Sequence, residues 1–123
     1  MNEKVLLIDD EAMLLKITSR LLEKLGVHVE PAPNGDVAVS LFKTDPQGFS
    51  FVIIDYNLEG MSCKDTLKQL RSLNPTIRSV IATGFVAEEI MKELKEWGVV
   101  AALQKPFALP ELKALLEKMR SLQ

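Results

Sequence analysis

Five polar residues follow apolar runs in a way that could assemble one reactive site. Asp9 and Asp10 end the run "KVLLIDD", Asp55 ends "FSFVIID", Thr83 ends "IRSVIAT", and Lys105 follows "VVAALQ". A lone aspartate closing an apolar run is most simply a turn former. Three carboxylates, a hydroxyl and an ammonium at equivalent places argue for shared chemistry instead. Crowded carboxylates repel one another, and a hard divalent cation with a preference for oxygen relieves that repulsion. Mg²⁺ would take one or two of the carboxylates, water and a phosphate oxygen. Asp55 could then attack phosphorus as a nucleophile and form an acyl phosphate. The cation, Lys105 and the Thr83 hydroxyl would meet the outer oxygens of the transferring group, which is electrostatic stabilisation rather than acid–base work.

For those side chains to meet, the runs must be strands of one sheet running the same way. Reactive crevices in open parallel sheets lie beyond the carboxyl ends of the strands. Between the runs the apolar period changes to that of helices. Residues Ala12 to Leu25 repeat Leu14, Ile17, Leu21 and Leu25, with Gly26 as a stop. "VHVEP" is a weaker second strand. Asn34 and Gly35 open a helix whose Val37, Ala38, Leu41 and Phe42 share a face, and Pro46 in "TDPQG" blocks its continuation. "FSFVIID" is apolar on both parities, as in a strand covered by helices on both faces. Ser62 with Asp65 three residues on predicts a capping box for a third helix carrying Leu67 and Leu70. A fourth helix is predicted over 87–97, with Ile90, Met91, Leu94 and Trp97 inward. A fifth runs from Leu109 to Leu122, with Leu112, Leu115, Met119 and Leu122 on one stripe. Five βα units in succession imply a three-layer α/β sandwich around a mostly parallel five-stranded sheet. Periodicity does not give the strand order.

At 123 residues the chain fits one domain, with a core large enough to need no staples. A formal net charge of −2 offers no broad attraction for nucleic acid or an anionic membrane. Cys63 has no second cysteine to pair with, and with His28 alone beside it no zinc set exists. "MNEKVLLIDD" holds too short an apolar segment for a signal peptide, and no run is long enough to span a bilayer. A cytoplasmic protein is expected.

Over almost its whole length the chain resembles the receiver domain of two-component response regulators. "LLIDDE" is similar to the family's first strand and acidic pair, and "IIDYNLEGMS" to its phospho-acceptor strand and following loop. "VIATG" is similar to the strand carrying its switch hydroxyl, and "LQKPF" to its lysine and proline. The resemblance implies a flavodoxin-like fold with strand order 2-1-3-4-5 and phosphorylation of Asp55 by a sensor histidine kinase or a histidine phosphotransfer protein. It also implies Asp10 as the main side-chain ligand of Mg²⁺, Asp9 acting nearby and often through water, and Asn57 lending its backbone carbonyl. Thr83 would hydrogen-bond the phosphoryl group, Lys105 would pair with it, and the Lys105–Pro106 bond would be cis. A downstream protein would dock on the face of helix 4, strand 5 and helix 5. The chain would be a single receiver domain over residues 1–123 with no output domain, either a stand-alone regulator or a module of a hybrid kinase.

Two positions depart from the family pattern. Ala102 stands three residues before the lysine, where members commonly carry Tyr or Phe, so the usual threonine–aromatic switch is not available in that form. Glu59 stands in the loop after Asp55 where proline is frequent. Phe85, two residues after Thr83, is expected to flank the site entrance.

Other residues read more simply. His28 is expected to be structural or exposed, Cys63 a small side chain near the active-site loop, and Trp97 packing. Competing functions are a degenerate receiver acting only as an interaction module, a small Mg²⁺-dependent aspartyl-phosphate hydrolase, and a flavodoxin-like cofactor binder. The intact set of five argues against the first. A hydrolase of that kind usually places its second acid two residues after the nucleophile, where Asn57 stands. The carboxylates of "DDEAML" would repel a cofactor phosphate. The expected role is therefore a signalling phosphoacceptor, not an enzyme acting on an external metabolite.

Overall fold

The computed structural model describes residues 3–84 and 88–122. Strands β1 (Lys4–Ile8), β2 (His28–Ala32), β3 (Phe51–Asp55), β4 (Ser79–Thr83) and β5 (Val99–Gln104) alternate with helices α1 (Ala12–Lys24), α2 (Gly35–Thr44), α3 (Cys63–Leu73), α4 (Glu88–Lys95) and α5 (Leu109–Ser121). All strand pairs are parallel, in the order β2-β1-β3-β4-β5. This is the expected flavodoxin-like α/β sandwich and strand order.

Alternation of side chains along each strand sorts the core into two halves. Leu6, Ile8, Val52, Ile54 and Ile81 pack with Ala38, Phe42, Leu67, Leu70 and Leu94 from α2, α3 and α4. Val5, Leu7, Phe51, Ile53 and Val80 pack with Leu22 of α1 and Leu112, Leu116 and Met119 of α5. The central strand β3 is buried at every residue, which is why its sequence is apolar on both parities. Gly35 lets α2 approach α3, since a Cβ there would lie 2.3 Å from Thr66 Oγ1. The Ser62 hydroxyl accepts the Asp65 N–H at 3.0 Å and starts α3, which is one half of the expected capping box; among the described residues no return bond from the Ser62 N–H to the Asp65 side chain accompanies it. Asn34 likewise accepts from the Val37 N–H at 2.9 Å and starts α2.

Some helix faces differ from the sequence reading. In α1 the buried residues are Thr18 and Leu22, while Ile17 is 46% exposed and Leu14, Leu21 and Leu25 are only partly covered. The covered side of the helix is centred on Thr18 and Leu22, with Leu15 beside them, rather than on Leu14 and Ile17. Val37 is exposed and Val39 takes its inward place in α2. Leu122 is exposed just past the end of α5 at Ser121, and Leu116 joins Leu112, Leu115 and Met119 as the buried residues of that helix. Helix α4 ends at Lys95, so Trp97 packs from the following turn, with Lys68 Nζ 4.9 Å from its ring centre. His28 is exposed on the edge strand β2.

Strand register sets the site. Ile8 pairs with Ile54, Asp55 with Ala82, and Thr83 with Gln104. The ends of β1, β3, β4 and β5 are thereby level, and the residues following them share one edge.

Candidate functional site

Asp9 and Asp10 leave β1, Asp55 is the last residue of β3, and their carboxylates converge. One oxygen from each lies within 4.8 Å of the other two. Asp9 and Asp55 are buried, whereas Asp10 is exposed at the mouth of the cluster. A donor set made only of carboxylate oxygens, open on one side, suits a hard divalent cation and leaves room for water or phosphate oxygen.

Lys105 reaches into the cluster from the turn after β5. Its Nζ stands 3.1 Å from Asp55 Oδ2 and 3.3 Å from Asp9 Oδ2, with its side chain largely buried. The turn is fixed by the Lys105 N–H donating to the Thr83 carbonyl at 2.7 Å, and the Lys105–Pro106 bond is cis as expected. Thr83 ends β4 beside this turn and is 1% exposed. The five residues expected to act together therefore meet at one edge of the sheet. Asn57 follows Asp55 by two residues, and its N–H donates to Asp55 Oδ1 at 3.0 Å. Its side chain is exposed.

Electrostatics follow from crowding and burial. Burial raises the Asp9 pKa above the usual carboxylate value, and nearby Asp55 adds to the rise. The Glu11 N–H on Asp9 Oδ1, at 2.9 Å, and Lys105 only partly offset this. Burial by itself would lower the Lys105 pKa, but the carboxylates of Asp55 and Asp9 outweigh it and hold the pKa above the ordinary lysine value. Lys105 thus stays charged, balancing two of three acids. Cys63, in the first turn of α3, is buried, and burial with the nearby Asp55 charge pushes its thiol up to about 12.

Two backbone contacts to the acidic pair were not foreseen. The Glu11 N–H on Asp9 is one, and the other is the Glu59 N–H, which donates to Asp10 Oδ2 at 3.1 Å. Both donors are backbone groups, which every residue except proline carries, so no side-chain pattern announces them. The entrance role expected of Phe85 concerns a residue outside those described.

Comparison with known proteins agrees with this geometry. The family described as response regulator receiver domain matches residues 5–117. The chain is 27% identical over 118 residues to sporulation initiation phosphotransferase F of Bacillus subtilis (strain 168), covering 96% of this chain and 94% of that protein. It is 32% identical over 117 residues to the transcriptional regulatory protein ZraR of Escherichia coli (strain K12), covering 95% of this chain but 26% of that protein. Among solved structures, the chemotaxis protein CheY4 of Vibrio cholerae superposes with a TM-score of 0.89 at 26% identity, covering 97% of this chain and 99% of that one. The matched span takes in Asp9, Asp10, Asp55, Thr83 and Lys105 together, and the chain belongs to the response regulator receiver domain family.

Proposed function

We propose that Asp55 is the phosphoacceptor of a two-component phosphorelay. The observation that carries this reading is the contact of Lys105 with Asp55 and Asp9 inside the acidic cluster. A carboxylate oxygen of Asp55 attacks phosphorus of a phosphohistidine, the P–N bond breaks, and the imidazole leaves with its bonding electron pair. Lys105, already beside Asp55, pairs with the oxygens of the transferred group. Thr83, at the end of the neighbouring strand, is the hydroxyl available to them. Asp10, Asp9, Asp55 and the Asn57 backbone carbonyl are the groups that would hold Mg²⁺. When bound, Mg²⁺ would supply positive charge against the carboxylates and the incoming phosphoryl oxygens. Turnover is limited to the domain's own phosphorylation and dephosphorylation.

Receiver domains accept phosphoryl groups from histidine kinases or phosphotransfer proteins. For this chain we assign the donor to a sensor histidine kinase or a histidine phosphotransfer protein. An apolar cavity of about 260 Å³ opens beside Lys105, lined by Leu14, Ile17, Leu21, Pro106 and Phe107. A donor resting there would present its histidine to the edge carrying Asp55. The domain serves mainly as a phosphoryl way-station in this reading, and the α4–β5–α5 face is where a downstream protein would dock in the alternative one. A cytoplasmic location belongs to the same proposal; separately, among the described residues no helix is long and apolar enough to cross a membrane.

Fluorine NMR with beryllofluoride tests the site without a partner. Bound resonances that require Mg²⁺ and vanish in Lys105→Met are expected. Unchanged Mg²⁺-dependent binding in that variant would remove Lys105 from the site.

A further inference from the structure

The loop from Tyr56 to Ser62 is tied to the acidic edge through its backbone. The Asn57 N–H on Asp55 is a local turn bond that aspartates commonly make two residues ahead. The Glu59 N–H on Asp10 is different, because it spans 49 positions and joins the β3–α3 loop to the β1–α1 loop. It also meets the carboxylate with the most freedom to leave. Asp9 and Asp55 are buried and share Lys105, whereas Asp10 is exposed. Three like charges this close favour any rotation that separates them, and water stands ready to receive an exposed carboxylate.

Resting on the Mg²⁺ reading above, we infer that the Glu59 N–H is a positioning group for the cation site. It holds the Asp10 carboxylate turned toward Asp9 and Asp55, so the ligand set is assembled before the cation arrives. One N–H occupies one of the several acceptor positions of a carboxylate and leaves the rest for the cation. The Glu59 side chain takes no part in this bond, so what matters at the position is a residue that has an N–H. Proline has none. Gly60, with a φ of +76°, turns the chain immediately after the donor and suits the loop to this approach.

Isothermal titration of the whole chain with MgCl₂, comparing wild type, Glu59→Ala and Glu59→Pro, separates the N–H from the side chain. Glu59→Ala keeps the donor and is expected to bind within about twofold of wild type, while Glu59→Pro weakens binding about tenfold, as for loss of a hydrogen bond to a charged group. Equal affinity in Glu59→Pro, or an equal loss in Glu59→Ala, would overturn the inference. The amide resonance of residue 59 gives an independent reading that needs neither Mg²⁺ nor proline. It should move upfield in Asp10→Ala, which removes the acceptor, and an unmoved resonance would refute the tie. If the wild type takes up no Mg²⁺, the cation reading itself fails, and the amide resonance still decides whether Glu59 holds Asp10.

Discussion

The Lys105 ammonium lies 3.1 Å from Asp55 and 3.3 Å from Asp9, so one cation is shared by two buried carboxylates. Removing it should expose their repulsion. Lys105→Met is expected to lower stability at neutral pH by about 2 kcal/mol. The sign of the pH dependence follows from the two raised pKa values. Asp9 binds its proton more tightly in the native state, so ionising it costs stability as pH climbs from 3.8 through its higher folded value. Without Lys105 that value rises further, and the variant's deficit shrinks as acid protonates Asp9. In the wild type the Lys105 contribution is full below 10.5 and is lost as pH rises through its folded value above that, a step the variant lacks. Urea melts across pH check this, and a deficit independent of pH would contradict it.

Asp10→Ala should cost cation affinity more than fold. Its side chain is exposed and stands among like charges, so the apo protein is expected to be as stable as wild type or more so. Thermal melts with and without Mg²⁺, beside a Mg²⁺ titration, measure both effects. Unchanged affinity would remove Asp10 from the ligand set.

Cys63 should be inert in the native state. Thiolate is the reactive form, and a thiol pushed up to about 12 holds almost none of it at neutral pH. Reaction with a disulfide reagent should wait for denaturant. Rapid native labelling would show that the first turn of α3 opens readily.

The signal should leave without a swinging aromatic at position 102. Ala102 is half-buried on β5, in register with Ile81, and is too small to fill space vacated by a moving Thr83 side chain. Phosphorylation is expected to act mainly on the loops that touch Asp55, making the domain a phosphoryl way-station. Backbone shifts with and without beryllofluoride should change around Asp55, Thr83 and Lys105. Large changes across α4 and the start of α5 would point to a docking face there.

Most of the architecture was legible because β3 is apolar on both parities and the polar residues follow each run at the same edge. The registers that level Asp55 with Ala82 and Thr83 with Gln104 then make the site a consequence of the sheet. The orientation of α1 was not legible. Leu14 and Leu21 begin one stripe and Leu15 and Leu22 another, and Thr18, buried between turns of the second stripe, disguises it as the polar side. Glu11 and Glu59 were hidden for another reason: they act through backbone donors, so their residue types carry no signal.

The central claim is that Asp55 alone accepts the phosphoryl group. Intact mass after incubation with acetyl phosphate, with and without Mg²⁺, tests it on wild type and Asp55→Asn. The wild type should gain one phosphoryl mass only with Mg²⁺, lose it to hydroxylamine as an acyl phosphate does, and Asp55→Asn should gain nothing. Full labelling of Asp55→Asn under the same conditions would contradict the account.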